Sequence, residues 1–171
     1  MADWHELAVD VGALLKEKGQ TVAVAESSSG GLISAALLAV PGASAYFKGG
    51  AACYTGNSKQ TLMGISGDDM AKERASTETH ALILANSARQ RLGSDWGIGE
   101  TGAAGPTGNR YGDEPGHCCI GVAGPGGEKA VTFETGSEDR ARNMEAFTKA
   151  ADQKSTRLNP VTGEHRMPSS A

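Results

Sequence analysis

Apolar residues recur at helical spacing from the start of the chain. Trp4, Leu7, Ala8, Val11, Leu14 and Leu15 form one stripe, and Gly19 supplies a helix stop, so a first helix is predicted there. Thr21 to Ala25 (TVAVA) is a short apolar, β-branched run of the kind that makes a buried strand. Small polar residues and glycines follow at Glu26 to Gly31, and then a second apolar stripe runs through Leu32, Ile33, Ala36, Leu37 and Val40. A short turn at Ser44 to Phe47 is expected next, then a strand through Cys53. A short helix follows, capped by Asn57 or Ser58, carrying Lys59 in its first turn and ending at Gly64. Asp68 to Ala75 shows no stripe and is expected to be a connection. Thr77 to Leu92 carries apolar residues at Ala81, Leu82, Leu84, Ala85, Ala88 and Leu92 and reads as a good helix, with Ser76 or Thr77 as cap and Gly93 as stop. His80 lies on that helix and, as a lone histidine, is expected to have no special role.

The second half turns to strands. Asp95 to Thr101 leads into one, and His117 to Ala123 and Lys129 to Thr135 read as a pair joined by the hairpin signal Gly124-Pro125-Gly126-Gly127. Between them Gly102 to Gly116 is a long loop rich in glycine, proline and polar residues, the kind that carries function on an α/β scaffold. Glu138 to Ala151 closes the pattern as a last amphipathic helix, and 152–171 reads as a polar tail without a helical stripe. Strands alternating with helices, with helices at both termini as cover, predict a single α/β domain. Its architecture is a three-layer α/β/α sandwich around a mixed sheet, over 1–151.

Composition narrows the classes. With 171 residues the chain is long enough for one domain with a real core. Sixteen basic against twenty acidic residues, with no basic cluster, argue against sequence-independent nucleic-acid binding, which rests on phosphate neutralisation. No run of apolar residues is long enough to span a membrane, and Asp3, Glu6 and Asp10 near the start argue against a secretory signal. The three cysteines, Cys53, Cys118 and Cys119, form no C-x-x-C pair and read as reduced thiols of a cytoplasmic protein. A metal on the vicinal pair beside His117 is not expected, because adjacent strand residues point to opposite faces. No P-loop is present, and no cofactor is expected.

Chemistry concentrates in three stretches. Ser44, Tyr54 and Lys59 could act together: a serine nucleophile, a lysine base of lowered pKa, and a tyrosine that relays a proton or binds an oxyanion. An unbroken strand from Ser44 to Tyr54 would separate them by roughly 33 Å, at about 3.3 Å per residue. The triad therefore needs the chain to fold back, and Gly49-Gly50 is where that costs least. Glu26, Ser27, Ser28, Ser29, Gly30 and Gly31 join a strand to a helix, which places free backbone N–H groups at a helix N-terminus as an anion site. In the long loop Arg110 offers a bidentate donor for a phosphate or carboxylate, and Glu100 just before it is placed to tune the site.

These stretches together resemble a known family. Ala25-Glu26-Ser27-Ser28-Ser29-Gly30-Gly31 is similar to the A-E-S-x-[ST]-G-G signature of the CinA C-terminal-domain family, in which many members carry Cys where this chain has Ser28. Pro41-Gly42-Ala43-Ser44, Gly49-Gly50, Tyr54, Lys59 and Leu62-x-Gly64-Ile65 follow in the family's order, and Thr101-Gly102-Ala103-Ala104-Gly105-Pro106 is similar to its [ST]-G-x-A-G-P loop. The run Gly108 to Gly116 departs from the commoner family form. The resemblance implies a nicotinamide-nucleotide amidohydrolase that turns nicotinamide mononucleotide into nicotinate mononucleotide and ammonia, acting on a small nucleotide as a homo-oligomer. It implies Ser44, Tyr54 and Lys59 as catalytic residues. It adds Thr101, Gly102, Gly105 and, after a small shift of alignment, Arg140 to the substrate-binding set. Two other classes stay open: a nucleotide-binding regulatory domain without turnover, and an interaction module of DNA-uptake or repair machinery.

Overall fold

The computed structural model describes residues 3–158. Five strands, β1 (Val22–Glu26), β2 (Phe47–Ala52), β3 (Trp96–Ala103), β4 (His117–Gly124) and β5 (Gly127–Glu134), form one sheet in the order β2-β1-β3-β4-β5. β1 runs parallel to both β2 and β3, whereas β4 is antiparallel to β3 and β5. The sheet is therefore mixed, as the sequence predicts, with the late hairpin as its antiparallel part. The helices are α1 (Val9–Lys18), α2 (Leu32–Leu38), α3 (Gly56–Met63), α4 (Gly67–Lys72), α5 (Glu78–Leu92) and α6 (Arg140–Leu158).

Strand periodicity divides the core into two. Val22 and Val24 of β1 pack with Val11 and Leu15 of α1, Ile33 and Leu37 of α2, and Phe147 of α6. The alternate residues Ala23 and Ala25 face Leu84 and Ala88 of α5, with Met63 and Ile65 completing that side. Side chains two apart share a face and neighbours do not, so one strand serves both layers.

The second layer is held unusually close. A Cβ placed on Gly97 would lie 1.9 Å from the Ala85 carbonyl oxygen, and one on Gly99 would lie 2.0 Å from that of Ala81. The glycines of DWGIGET thus give the sheet a face without side chains, on which the backbone of α5 rests, while Ile98 between them points to the other core.

Local signals end most elements as expected. Thr77 accepts the His80 N–H to cap α5, and Gly93 (φ 64°) and Gly19 (φ 62°) take the left-handed conformation that stops α5 and α1. Three details differ. The cap of α3 is Thr55, which exchanges hydrogen bonds with Ser58 in a capping box, rather than Asn57 or Ser58 itself. Part of the expected connection after Gly64 is helical, because Ser66 caps α4 and Asp68 and Asp69 suit its N-terminus. The last helix continues past Ala151 to Leu158, so the expected tail begins too early. Ser155 is only 7% exposed and its hydroxyl returns to the Ala151 carbonyl, which lets a polar residue sit on a buried helix face. The rest of that tail, 159–171, lies outside the described residues.

Asp152 also belongs to this turn. Its Oδ1 is buried and has no hydrogen-bond partner among the described residues. Burial, with the charge of Asp10 added, pushes its pKa up to about 7.

Two outcomes follow from this packing. Gly99→Val forces a side chain into the α5 backbone and should cost about 3 kcal/mol or more, read as a lower urea midpoint at unchanged slope. Asp152 keeps in the fold a proton that the unfolded chain releases near pH 4. Its contribution is therefore full below that pH and is lost as pH rises through about 7. Asp152→Asn should raise the melting temperature more at pH 8 than at pH 5; an equal gain at both would show that Asp152 does not titrate there.

Candidate active site

The loop that follows β1 is built around two buried carboxylates. Glu26 and Glu100 are both fully buried. Glu26 accepts the N–H groups of Gly31, Ile33 and Ser34 at 2.9, 3.0 and 2.9 Å, and the hydroxyls of Ser29 and Ser34 at 2.6 and 2.9 Å. Glu100 accepts the N–H groups of Ser27 and Ser29 at 2.9 Å each, the Ser29 hydroxyl at 2.7 Å, and the Ser28 hydroxyl. Burial pushes the Glu100 carboxyl up, and hydrogen bonds from Ser28, Ser29 and Ser27 pull it back. The anion site expected at the start of α2 is thus filled by the protein's own anions. The N–H groups of Ser27, Ser29, Gly31, Ile33 and Ser34 are not free for a phosphate, because Glu100 and Glu26 already accept them. Gly30 (φ 68°) and Gly31 (φ 103°) serve the turn that brings the chain over Glu26.

Beside this loop is a cavity of about 220 Å3 lined by Ser28, Tyr54, Gly102, Gly105, Asn109 and Arg140, among others. It sits past the C-terminal ends of β1 and β3. The chain leaves β1 toward α2 on one face and enters β3 from α5 on the other, the switch point where open α/β sheets hold ligands. Gly102 forms part of its wall, since a Cβ there would lie 3.2 Å from the Ser28 hydroxyl. Arg140 donates to the Gly105 carbonyl and, at 3.3 Å, to the Tyr54 hydroxyl. Asn143 supports the same loop by donating to the Ala104 carbonyl at 2.7 Å.

The run Gly108 to Gly116 is fixed by Asp113. Arg74 grips its carboxylate at 2.7 and 3.2 Å and Asn109 donates at 2.8 Å, which holds Asp113 below the usual carboxylate range. His117 ties this run to the sheet. Burial opposes its protonation, but hydrogen bonds to Glu134 and the Ser76 carbonyl, with Asp113 nearby, leave its pKa raised. Arg110 does not line the cavity; it is exposed, with its guanidinium 5.0 Å from the Tyr111 ring centre and donating to that hydroxyl. Thr101 is buried, and its hydroxyl accepts the Ser76 N–H at 3.0 Å.

Lys59 is 4% exposed, and its Nζ lies 2.9 Å from Nε2 of His80, itself 1% exposed. Burial lowers the pKa of Lys59, while Cys53 and Glu100 act in the opposite direction. Burial and the Lys59 charge lower His80 to about 4. The Glu26–Ser27 peptide is hydrogen-bonded to both residues that bear on Lys59, Cys53 and Glu100. The Glu26 carbonyl accepts the Cys53 N–H at 2.6 Å, and the Ser27 N–H goes to Glu100. The Ser27 hydroxyl makes no hydrogen bond among the described residues, although the residue is only 8% exposed.

The expected triad is brought together only in part. Tyr54, 62% exposed, and Lys59 both follow the C-terminal end of β2. Ser44 precedes its other end, on a 3-10 turn at Ala43–Ala45 that Tyr46 anchors by donating to the Leu37 carbonyl. Six residues of strand lie between, roughly 20 Å at about 3.3 Å per residue. Gly49 and Gly50 do not fold the chain back; they stay in β2, paired with Ala23 and Val24. Gly50 is needed for packing, because a Cβ there would lie 2.3 Å from the Ser34 hydroxyl. Sequence reasoning also passed over His80, whose signal was present. It lies one turn before Leu84 on the buried face of α5.

This is an α/β/α domain with a polar cavity at the switch point of its sheet and a buried lysine beneath the adjoining loop. Residues 4–157 match the CinA C-terminal domain, and the chain belongs to that family. It is 42% identical over 137 residues to a CinA-like protein of Synechococcus elongatus, covering 80% of this chain and 32% of that protein. It is 37% identical over 163 residues to a CinA-like protein of Chlorobium limicola, covering 92% of this chain and 38% of that one. The chain thus spans about a third of the length of these curated relatives. Among solved structures, the competence/damage inducible protein CihA of Agrobacterium tumefaciens superposes with a TM-score of 0.81 at 27% identity, over 93% of this chain and 97% of that one. A CinA superfamily protein of Escherichia coli shares the fold, with a TM-score of 0.84 at 22% identity over 92% and 93% of the two chains.

The carboxylate beneath the loop gives a direct test. Glu26→Ala strands three N–H groups, one buried and two part-buried, and should cost at least about 3 kcal/mol, or roughly 10 °C in melting temperature for a domain of this size. A loss of only a degree or two in a thermal melt would show that water replaces the carboxylate there.

Proposed function

We propose that this domain hydrolyses the carboxamide of nicotinamide mononucleotide, with Ser27 as the nucleophile and Lys59 as its base. The observation that carries this reading is the burial of Lys59 at the C-terminal end of the sheet, its pKa lowered, together with a loop serine whose N–H is held by Glu100, a group that acts on Lys59, and whose hydroxyl is unengaged among the described residues. Burial that lowers a lysine's pKa favours the neutral amine, the form that can take a proton from a serine.

The steps balance without another reactant than water. Ser27 Oγ attacks the carboxamide carbon and its proton passes to Lys59. The tetrahedral intermediate expels its amino group, which leaves as ammonia with the proton returned by Lys59. Water then attacks the acyl ester, Lys59 accepts its proton and returns it to Ser27, and nicotinate mononucleotide departs. Tyr54 accepts a hydrogen bond from Arg140, so its own proton is available to an oxyanion or a phosphate. Arg140 is the cation of the cavity lining and takes the anionic end of the substrate, the role first given to the Ser27 to Gly31 turn. Membership of the CinA C-terminal domain family supports the reading. Ser44 has no part in it.

A second nucleophile is supported by one observation. Ser28 lines the cavity and its hydroxyl donates to Glu100, a buried carboxylate with a raised pKa. The test separates the two. Ammonia and nicotinate mononucleotide are measured together after incubation with nicotinamide mononucleotide. Ser27→Ala should reduce turnover at least about 1000-fold, and Ser44→Ala should leave it within about twofold. Lys59→Arg, which cannot deprotonate, should be as inactive as Lys59→Ala. Activity should rise with pH through the Lys59 ionisation, at a pH below its ordinary value of 10.5. Near-normal turnover in Ser27→Ala with loss in Ser28→Ala would move the nucleophile to Ser28. Turnover surviving Lys59→Arg would exclude lysine as the base.

A further inference from the structure

His80 enters the molecule as a helix-face histidine and ends as the hydrogen-bond partner of Lys59. Its Nε2 is 2.9 Å from Nζ, and its Nδ1 faces the Glu73 carbonyl at 3.3 Å. A carbonyl only accepts, so Nδ1 carries the ring proton and Nε2 presents an electron pair to Nζ. Among the described residues Lys59 makes no other side-chain hydrogen bond and no ion pair.

We infer that His80 is the positioning residue of Lys59, holding Nζ by one N–H so that the amine's electron pair is turned away from the imidazole and left for the serine loop. The inference rests on the reading of Lys59 as the base. A tetrahedral amine that donates one N–H to Nε2 must aim its electron pair elsewhere. An imidazole also does this without the Coulomb attraction by which a carboxylate would trap the ammonium form.

The surroundings keep the imidazole neutral. His80 faces Lys59 from α3 and the Glu73 carbonyl from the end of α4, and burial and the Lys59 charge hold it near pKa 4. Lys59 faces Cys53 at the end of β2 and Glu100 on β3 as well, and Glu26 acts on Cys53. Across the range where Lys59 ionises, then, His80 stays an acceptor.

The experiment follows the Lys59 side chain by NMR against pH in the full chain, labelled at lysine 13Cε, for the unaltered protein, His80→Leu and His80→Gln. Loss of the acceptor should lower the Lys59 midpoint by about one pH unit in His80→Leu, and the Gln oxygen should restore part of it. The acid limb of the pH–rate profile should move with it. Where His80→Leu does not fold, 15N-histidine spectra of the unaltered protein decide. The inference expects an Nδ1–H tautomer from pH 5 to pH 9, with Nε2 shifting at the Lys59 midpoint. An Nε2–H tautomer, a His80 that titrates near 6.5, or a Lys59 midpoint unmoved in His80→Leu would overturn it. These resonances need no turnover, so an absent amidase activity and a wrong assignment of His80 give different results.

Discussion

Two carboxylates inside the protein, with no cation bonded to either among the described residues, set the shape of everything around the cavity. A buried charge is costly unless donors converge on it, and Glu26 and Glu100 meet that condition with the same few residues. The one hydroxyl proton of Ser29 is shared between them and its N–H goes to Glu100, while α2 aims its first N–H groups at Glu26. The loop has no freedom to turn outward, because any other path would leave one of the anions unsatisfied. That constraint fixes where Ser27 and Ser28 stand, and through the Cys53 N–H it also fixes where the chain leaves β2 toward Tyr54 and Lys59.

The tight α5 layer serves the same end from below. Because Gly97 and Gly99 carry no side chains, the helix comes close enough for His80, in its first turn, to reach a lysine on α3. A sheet with ordinary side chains at those positions would hold α5 further away, and the contact between the two nitrogens would open. The packing rule and the site are therefore one feature of the sequence.

Much of this was legible in the chain. The apolar, β-branched run TVAVA and the hairpin signal at Gly124 to Gly127 mark strands of the sheet, and Gly19, Thr77 and Gly93 mark helix ends where they occur. What could not be read was long-range pairing. A strand-to-helix turn with serines and glycines has the pattern of an open anion cradle. Nothing local reveals that a glutamate 73 positions later supplies the anion for Ser27. Ser44 was misplaced for a related reason. A Gly-Gly pair signals a bend when read locally, whereas here it lets α2 approach an edge strand. The end of α6 was misjudged because its buried face is polar, each hydroxyl bonded back to its own helix.

The arrangement of charges also explains how a lysine can be buried here without becoming inert. A carboxylate in contact with Nζ would hold the ammonium form and raise its pKa; among the described residues neither Glu26 nor Glu100 makes that contact, although Glu100 acts on Lys59 in the same direction. They are instead saturated by N–H and O–H donors from the serine loop, so their capacity is spent before Lys59 arrives. Lys59 is left with a neutral imidazole as partner and with desolvation as the dominant influence on its proton. The loop that presents the serines is thus also what keeps both carboxylates from pairing with the lysine.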